Sequence, residues 1–414
     1  MSKMDREYIK EAVFRLEWWM SEKTYFGFDP YDIKGSKIFM WAFSIPRVPF
    51  YRNVQRKLVL APLVIGESYF PQTFRRLFGI KPSRNAKGIA LTVKGYLNLY
   101  KLTEDEKWKN KAVELLDWLL DNQSLGYPYP CWGYPFDWDS GVVVPAHTPS
   151  SVVSAAAFDA FWHAWLITKD IKYLDTCLGI CRFFIEFLNI TQIDNDTICF
   201  SYTPLDDFQV HNTNLLVADC LLRAGCFTNE ETFILLGKKA VRFALKEQNP
   251  DGSIYYYGKA QDYINSGRVD HYHSGFEMRC LYNIWVATGD VIYKEALERY
   301  YDFYKSNFIL YTDKGAFPNM YPGTLYPINI HSCAEAILLN ATLANEFNSA
   351  LSLLNQCVVP IIKRMKQRKG WFKYLIRKIG PFELHTNIPY MRWGQAWMFL
   401  ALSEALLASK NSAD

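Results

Sequence analysis

The chain lacks the cysteine pattern of a disulfide scaffold or a zinc knuckle. Its nine cysteines are odd in number, and no CxxC occurs among them, so neither reading has support. Cys177 and Cys181, four apart on a predicted helix, read as small buried hydrophobes. No HExxH or HxxxH pair occurs, and no metal site is expected. GxGxxG, GxxxxGK[ST] and GxSxG are all missing, which removes the dinucleotide, P-loop and hydrolase-elbow readings. No cofactor is expected. The net charge is only +4, too small to argue for a nucleic-acid partner. Charges interrupt every apolar stretch within about 18 residues, so no transmembrane helix is expected. The start, Met1-Ser2-Lys3-Met4-Asp5, has neither the apolar core nor the small-residue cleavage site of a secretory leader. The expected location is the cytoplasm.

What the chain has in excess is aromatic. Its 414 residues include 13 Trp, 27 Tyr and 28 Phe, and half of all residues are hydrophobic, which excludes intrinsic disorder. Many of these rings belong to a repeat. Thr103-Glu-Asp-Glu-Lys-Trp108 recurs as Thr168-Lys-Asp-Ile-Lys-Tyr173 and as Thr288-Gly-Asp-Val-Ile-Tyr293. A weaker copy runs from Thr228 to Phe233, and a doubtful one starts at Thr342. The threonines step by 65, 60, 60 and 54 residues, about one helical hairpin plus a long loop. In each copy a polar turn ends one helix. An early acid starts the next, and an aromatic packs back into the core.

The helices before each turn are nearly free of charge, and those after it are charged amphipaths. A helix apolar on almost every side is buried, whereas one with a polar face lies outside. Inner helices are expected near 86–102, 149–167, 212–226, 271–288, 328–341 and 389–408. Outer helices are expected near 105–122, 170–189, 229–248, 290–308 and 343–367. A sixth outer helix, an amphipath from Asp5 to Trp19, would close the ring beside the last inner helix. The expectation is therefore all-α: one (α/α)6 toroid domain over 1–414, with few short strands, limited to short hairpins such as Ser253–Tyr257. An open α-solenoid is the structural alternative.

Loops entering the inner helices of such a toroid meet at one mouth. Six of the seven histidines fall there: His147, His211, His271, His273, His331 and His385. His163 sits mid-helix, where packing or a satisfied hydrogen bond is expected. The aromatic loop around Trp132, Tyr134, Phe136 and Trp138, with Tyr390 and Trp393, would stack on sugar rings. Asp270 and His273 stand at a helix start as acid/base candidates, although Asp270 equally fits an N-cap. Asp137 and Asp139 are further carboxylate candidates. Glu277, one turn after His273, would face the lumen with it. His147, His211, Asn214 and His331, with Asn212 and Glu335 beside them, are binding candidates. Arg392 would hold a carboxylate or phosphate.

Five stretches carry a resemblance: Gly27-Phe-Asp-Pro-Tyr-Asp32, Trp132-Gly-Tyr-Pro-Phe-Asp-Trp138, Pro250-Asp-Gly-Ser253, Asp270-His-Tyr-His-Ser-Gly275 and Tyr390-Met-Arg-Trp-Gly-Gln-Ala-Trp397. Together they resemble the VpsJ-like family of bacterial polysaccharide-biosynthesis proteins, over about residues 15–405 and in the same order. Some members carry the name glucuronyl C5-epimerase-like. The resemblance implies the toroid of six-hairpin glycosidases, epimerases and uronyl hydrolases. The family pattern has Asn before aromatic-His-Thr-Gly where this chain has His271, which weighs against a role for His271.

From Lys363 to Lys378 eight cations occur without an acid, interleaved with Trp371, Phe372 and Tyr374. Two readings stand: a solvated loop with packed aromatics, or a peripheral contact with an anionic membrane. Arg47, Arg52, Arg56 and Lys57, near Phe39, Trp41 and Phe43, would add to the second. The expectation as a whole is a carbohydrate-active protein of surface-polysaccharide biosynthesis. It would act on a sugar, a uronic acid or a lipid-linked glycan by hydrolysis, elimination or epimerisation. The alternative is a non-catalytic glycan-binding or scaffold component. A terpene- or lanthionine-cyclase-like reading lacks the dense Asp cluster or the Cys/His zinc site it needs. The sequence leaves the oligomeric state open.

Overall fold

The threonine–acid turns act in space as their sequence suggests. The structure, a computed structural model, describes residues 2–44, 50–139, 142–264 and 267–411; for 43, 44, 50–56, 139, 262–264 and 411 it describes the backbone alone. Each of three turns ends a helix on a left-handed residue, Glu104, Lys169 or Gly289. The acid that follows caps the next helix: Asp105, Asp170 and Asp290 each accept from the backbone N–H two residues on, at 3.1–3.2 Å. The threonine hydroxyl reaches back four residues to a helical carbonyl. The aromatics Trp108, Tyr173, Phe233 and Tyr293 are buried, each contributing roughly 2–3 kcal/mol. The copy at Thr342 lacks this turn. There the helix ends on Ala344 in right-handed conformation, and Phe347 precedes the next helix without a side-chain cap.

The hairpins form a closed ring. Its inner helices are α5 (Ala86–Thr103), α7 (Ser151–Thr168), α9 (His211–Thr228), α11 (His271–Thr288), α13 (Ile330–Leu343) and α15 (Trp397–Asn411). Each packs on the next, and α15 returns to α5. Outside them lie α6 (Glu106–Asp121), α8 (Ile171–Phe187), α10 (Glu231–Glu247), α12 (Val291–Phe308) and α14 (Asn348–Met365). The sixth outer position is filled by α1 (Lys3–Glu22), against α15 and α14. It buries Ile9, Val13, Leu16 and Met20 at helical spacing. Its one buried acid, Glu17, accepts from the Tyr96 hydroxyl and from Lys111. The (α/α)6 expectation holds, and closure rules out the open solenoid.

Between α1 and α5 the sequence reading named no helices. The structure has a short 3-10 turn at Asp32–Gly35, then α2 (Lys37–Ser44), α3 (Phe50–Tyr69) and α4 (Pro71–Leu77). Pro62 inside α3 masks the helical pattern there. The strands are short: β1 (Trp138–Asp139) with β2 (Val143–Val144), β3 (Ile190–Asp194) with β4 (Thr197–Phe200), β5 (Ile309–Thr312) with β6 (Gly315–Pro318), and a sheet β7-β8-β9 of Ile328–Asn329, Leu375–Ile379 and Phe382–Thr386. The hairpin expected at Ser253–Tyr257 does not form. Instead Asp251 caps Ser253 in a turn, and Tyr257 makes one isolated bridge to Val210.

The basic run spans the end of α14 and strand β8, next to β7 and hence to the mouth at α13. Its aromatics turn inward: Phe372 is buried, and Trp371 packs 6.5 Å from Trp19. Arg364 pairs with Glu383, Lys373 with His385, and Arg377 with Thr386 and the Ser68 carbonyl. Lys363, Arg368, Lys369 and Lys378 are exposed. Arg47 and the side chains of Phe43, Arg52 and Arg56 lie outside the described residues. No helix among the described residues is long and apolar enough to cross a membrane.

Candidate active site

Inner-helix N-termini converge on a cavity of about 370 Å³ at the mouth of the ring. Aromatic rings make its wall. Tyr134 and Phe136 stack at 5.5 Å, and Trp138 meets Tyr202 edge-on at 5.5 Å. Besides its tyrosines, the polar residues on the wall are Lys34, Lys87, Asn212, Arg268, His273, His331 and Arg392. No Asp or Glu among the described residues lines it.

His273 is held by the residue that starts its helix. Asp270 is both N-cap and partner: one carboxylate oxygen accepts from the His273 backbone N–H at 3.2 Å, the other faces Nδ1 at 2.8 Å. The Asp270 carboxylate also receives Arg268 at 3.0 Å. Burial pushes this carboxyl up, but the charge and hydrogen bond of His273, with Arg268, outweigh it and hold it below the usual range. An ionised Asp270 takes the Nδ1 proton as a hydrogen bond. Nε2 is then the ring nitrogen that serves the cavity. The cap and acid/base readings of Asp270 are thus one arrangement, with the carboxylate behind the histidine.

His331 comes from α13 and is fixed differently. Residues Met391–Ala396 form a turn of π-helix ahead of α15, a local irregularity often found at functional sites. The Trp393 carbonyl there lies 3.1 Å from His331 Nδ1. A carbonyl can only accept, so Nδ1 carries the proton and Nε2 the lone pair. Nε2 is buried and has no protein partner. Burial, then Lys87, Arg392 and His273, drive the His331 pKa far down, so the ring is neutral. Tyr272 packs between the two imidazoles, 4.4 Å from His273 and 4.8 Å from His331.

Arg392 lines the cavity under Tyr134, but it is already neutralised. Its Nε and Nη2 both bond the buried Asp29 carboxylate. Trp138 and Trp393 line the cavity, and the Trp393 indole N–H has no partner.

Other candidates sit elsewhere. Tyr390 is buried outside the cavity, its hydroxyl 3.1 Å from Glu67 and its ring under Arg75. His211 faces outward to Glu247 at 2.9 Å and stacks on Phe243. Asn214 bridges the Phe200 N–H and the Ala240 carbonyl, a packing role. His147 is exposed and borders a separate groove with Trp118 and Arg84. Asp137 is exposed and accepts from the Ala146 N–H at 2.6 Å. The Asp139 side chain lies outside the described residues. His271 points into the shell, with Nε2 2.9 Å from the Tyr304 hydroxyl. Glu277 does not share the lumen with His273; it takes a hydrogen bond from Tyr300 on α12. Mid-helix His163 bonds the Asp159 carbonyl. Among the described residues no three His, Cys, Asp or Glu side chains converge as a metal site.

Several residues of the site escape a reading of the sequence alone, among them Lys34, Tyr202, Arg268, Asp29 and Lys87. Asp29 carried no signal beyond its motif. Lys87 had one: Lys87, Lys94 and Lys101 recur every seven residues on an otherwise apolar inner helix, so they share one face. Below the cavity, Lys94, Asp159, Arg223, Asp219 and Asn283 form a continuous polar network.

No protein-family model matches the chain, and no curated protein matches it significantly. Solved structures do share its fold. Cellobiose 2-epimerase from Bacillus thermoamylovorans is 12% identical, with a TM-score of 0.56 over 78% of this chain and 88% of that one. A D-mannose isomerase is 12% identical, with a TM-score of 0.60 over 79% and 88%. A GH76 α-mannanase from Bacteroides thetaiotaomicron is 12% identical, with a TM-score of 0.58 over 80% and 88%. These neighbours have the six-hairpin, glycosidase-like architecture. At such identities they speak for the fold alone. The VpsJ-like resemblance rests on the sequence motifs.

Proposed function

We propose that this protein is a sugar epimerase or isomerase that moves a proton at the carbon beside a sugar carbonyl. The observation that carries the reading is the pair of histidines facing one aromatic cavity whose described wall holds no carboxylate. Glycoside hydrolysis ordinarily needs two carboxylates flanking the bond, about 5–10 Å apart. Proton transfer beside a carbonyl needs only a base, a proton donor and a dry, oriented pocket.

His273 is the base, because Asp270 stabilises the imidazolium it becomes. Removing the C–H proton leaves an enediolate. Returning a proton to the other face of the same carbon gives the epimer. Returning it to the former carbonyl carbon gives the isomer. His331, neutral with a lone pair on Nε2, moves the remaining protons. For the epimer it relays one from solvent water to the opposite face while His273 releases its own to solvent. For the isomer it carries the hydroxyl proton from one sugar oxygen to the other. The ring walls of Tyr134, Phe136 and Trp138 stack on the sugar. Structural neighbours named as an epimerase, an isomerase and a mannanase accord with sugar chemistry on this scaffold. The motif resemblance supports a setting in bacterial surface-polysaccharide biosynthesis. A screen of reducing sugars by NMR tests the reading: one or more should interconvert, and not with His273→Asn. Conversion of no reducing sugar, with release of sugar from a glycan instead, would overturn it.

A further inference from the structure

The cavity wall carries four cations, Lys34, Lys87, Arg268 and Arg392. Lys34 stands over the Tyr31 ring, and the two arginines are compensated from behind. Arg268 rests on Asp270, and Arg392 on Asp29. Lys87 is not compensated. It occupies the first turn of α5, where the Asn85 cap takes its backbone N–H. Its side chain is buried, and Nζ stands over the rings of Phe276 and Trp397 at 5.4 and 5.6 Å. Among the described residues no carboxylate or carbonyl pairs with Nζ.

The surrounding acids are already engaged. On α13, Glu335 forms a two-pronged pair with Arg279 of α11, at 2.7 and 3.1 Å. Asp29 holds Arg392, and on α5 itself Lys94 takes Asp159. The neutral His331 adds no charge, and His273 is tied to Asp270. Lys87 is therefore a surplus cation at the cavity wall. Burial first, then Arg392 and Arg279, lower its proton affinity to about 7 against the pull of Glu335 and Asp29.

We propose that Lys87 seats the acidic group of an anionic sugar, a sugar carboxylate or a sugar phosphate, and that the protein takes up a proton as this ligand binds. The inference rests on the cavity being a sugar site and requires no turnover. The incoming anion supplies the countercharge that Lys87 lacks, which favours the ammonium form. Arg392 cannot serve as the seat in the same way, since Asp29 already occupies its fork.

Calorimetric titration in two buffers of different ionisation enthalpy tests this, with D-glucuronate, glucose 6-phosphate and glucose as probes. At least one acidic sugar should bind about tenfold or more tighter than glucose. At about pH 8 its binding should take up close to one proton, and less toward pH 6. The better of glucuronate and glucose 6-phosphate identifies the acidic group. Lys87→Met should lose both preference and uptake and still bind glucose. Lys87→Arg should keep the preference and lose the uptake, because arginine stays charged. Lys87→Met removes a buried unpaired cation, so it should melt no lower than the parent. Equal affinity for acidic and neutral sugars, or a preference unchanged in Lys87→Met, would overturn the Lys87 seat and leave the sugar site standing. Binding of no sugar at all would overturn both.

Discussion

Arg392 and Asp29 lie 363 positions apart in the sequence and form one buried two-pronged ion pair, with Nη2 2.7 Å from Oδ1. The pair joins the first and last of the five motifs. It places Arg392 under Tyr134 and fixes the π-turn that carries Trp393. A second buried cation, Arg75 of α4, ties the same segment through Asp32 and the Asp29 carbonyl. The segment between α1 and α5 is thus built onto the mouth.

Breaking the Asp29–Arg392 pair from one side strands a buried charge. Asp29→Ala should cost about 3–5 kcal/mol, read as a lower denaturation midpoint. Replacing both, as Asp29→Leu with Arg392→Met, should recover most of that loss, because no charge is then left alone.

The two histidines should matter to chemistry far more than to folding. His273→Asn and His331→Asn should each lower kcat by about 10²–10⁴, with melting temperatures close to the parent. Asp270→Asn should act through His273: it should shift the pH dependence of kcat and lower it less than His273→Asn.

Gly133 is where the aromatic loop meets the chain entering α7. A Cβ there would lie 2.0 Å from the Thr148 carbonyl oxygen, which cannot move without breaking the bridge between Gly133 and Pro149. Gly133→Ala should displace Tyr134 and Phe136. The expected result is sugar affinity weakened about tenfold or more, measured by calorimetry.

His271 gives the fold an acid limit. Burial lowers its pKa to about 3, against an ordinary value near 6.5. The unfolded chain therefore binds a proton first as pH falls. Stability should be level above about pH 6.5 and decline toward pH 3, by on the order of 3–5 kcal/mol from this group. His271→Gln keeps a polar partner for Tyr304 and cannot titrate in this range. Melting curves against pH should show a shallower acid decline for that variant.

The ring was legible because its signals are local. The Thr–x–Asp turns, the buried aromatic after them and the contrast between apolar and charged helices all sit within short windows. The amphipathic pattern of α1 was equally local. The α2–α4 segment was missed because Pro62 interrupts its pattern and its anchors, Asp29, Asp32 and Arg75, pair over long range. In the site, helix-start position could not say which way each histidine points: His273 and His331 line the cavity, whereas His211 and His271 turn away from it. His271 and His273 are two apart on one helix, about 200° around its axis. One therefore serves the shell and the other the cavity. Tyr390 and Arg392 differ in the same manner: one is buried against Arg75, the other reaches the wall.

Solvent deuterium reports most directly on a proton moved by His273. A sugar that the protein converts should be incubated in deuterium oxide and examined by proton NMR. The carbon beside the carbonyl should lose its proton signal as the epimer or isomer appears, and His273→Asn should slow that loss by about 10²-fold or more. Product formed with full retention of that proton, or loss of the signal at an unchanged rate in His273→Asn, would contradict the account.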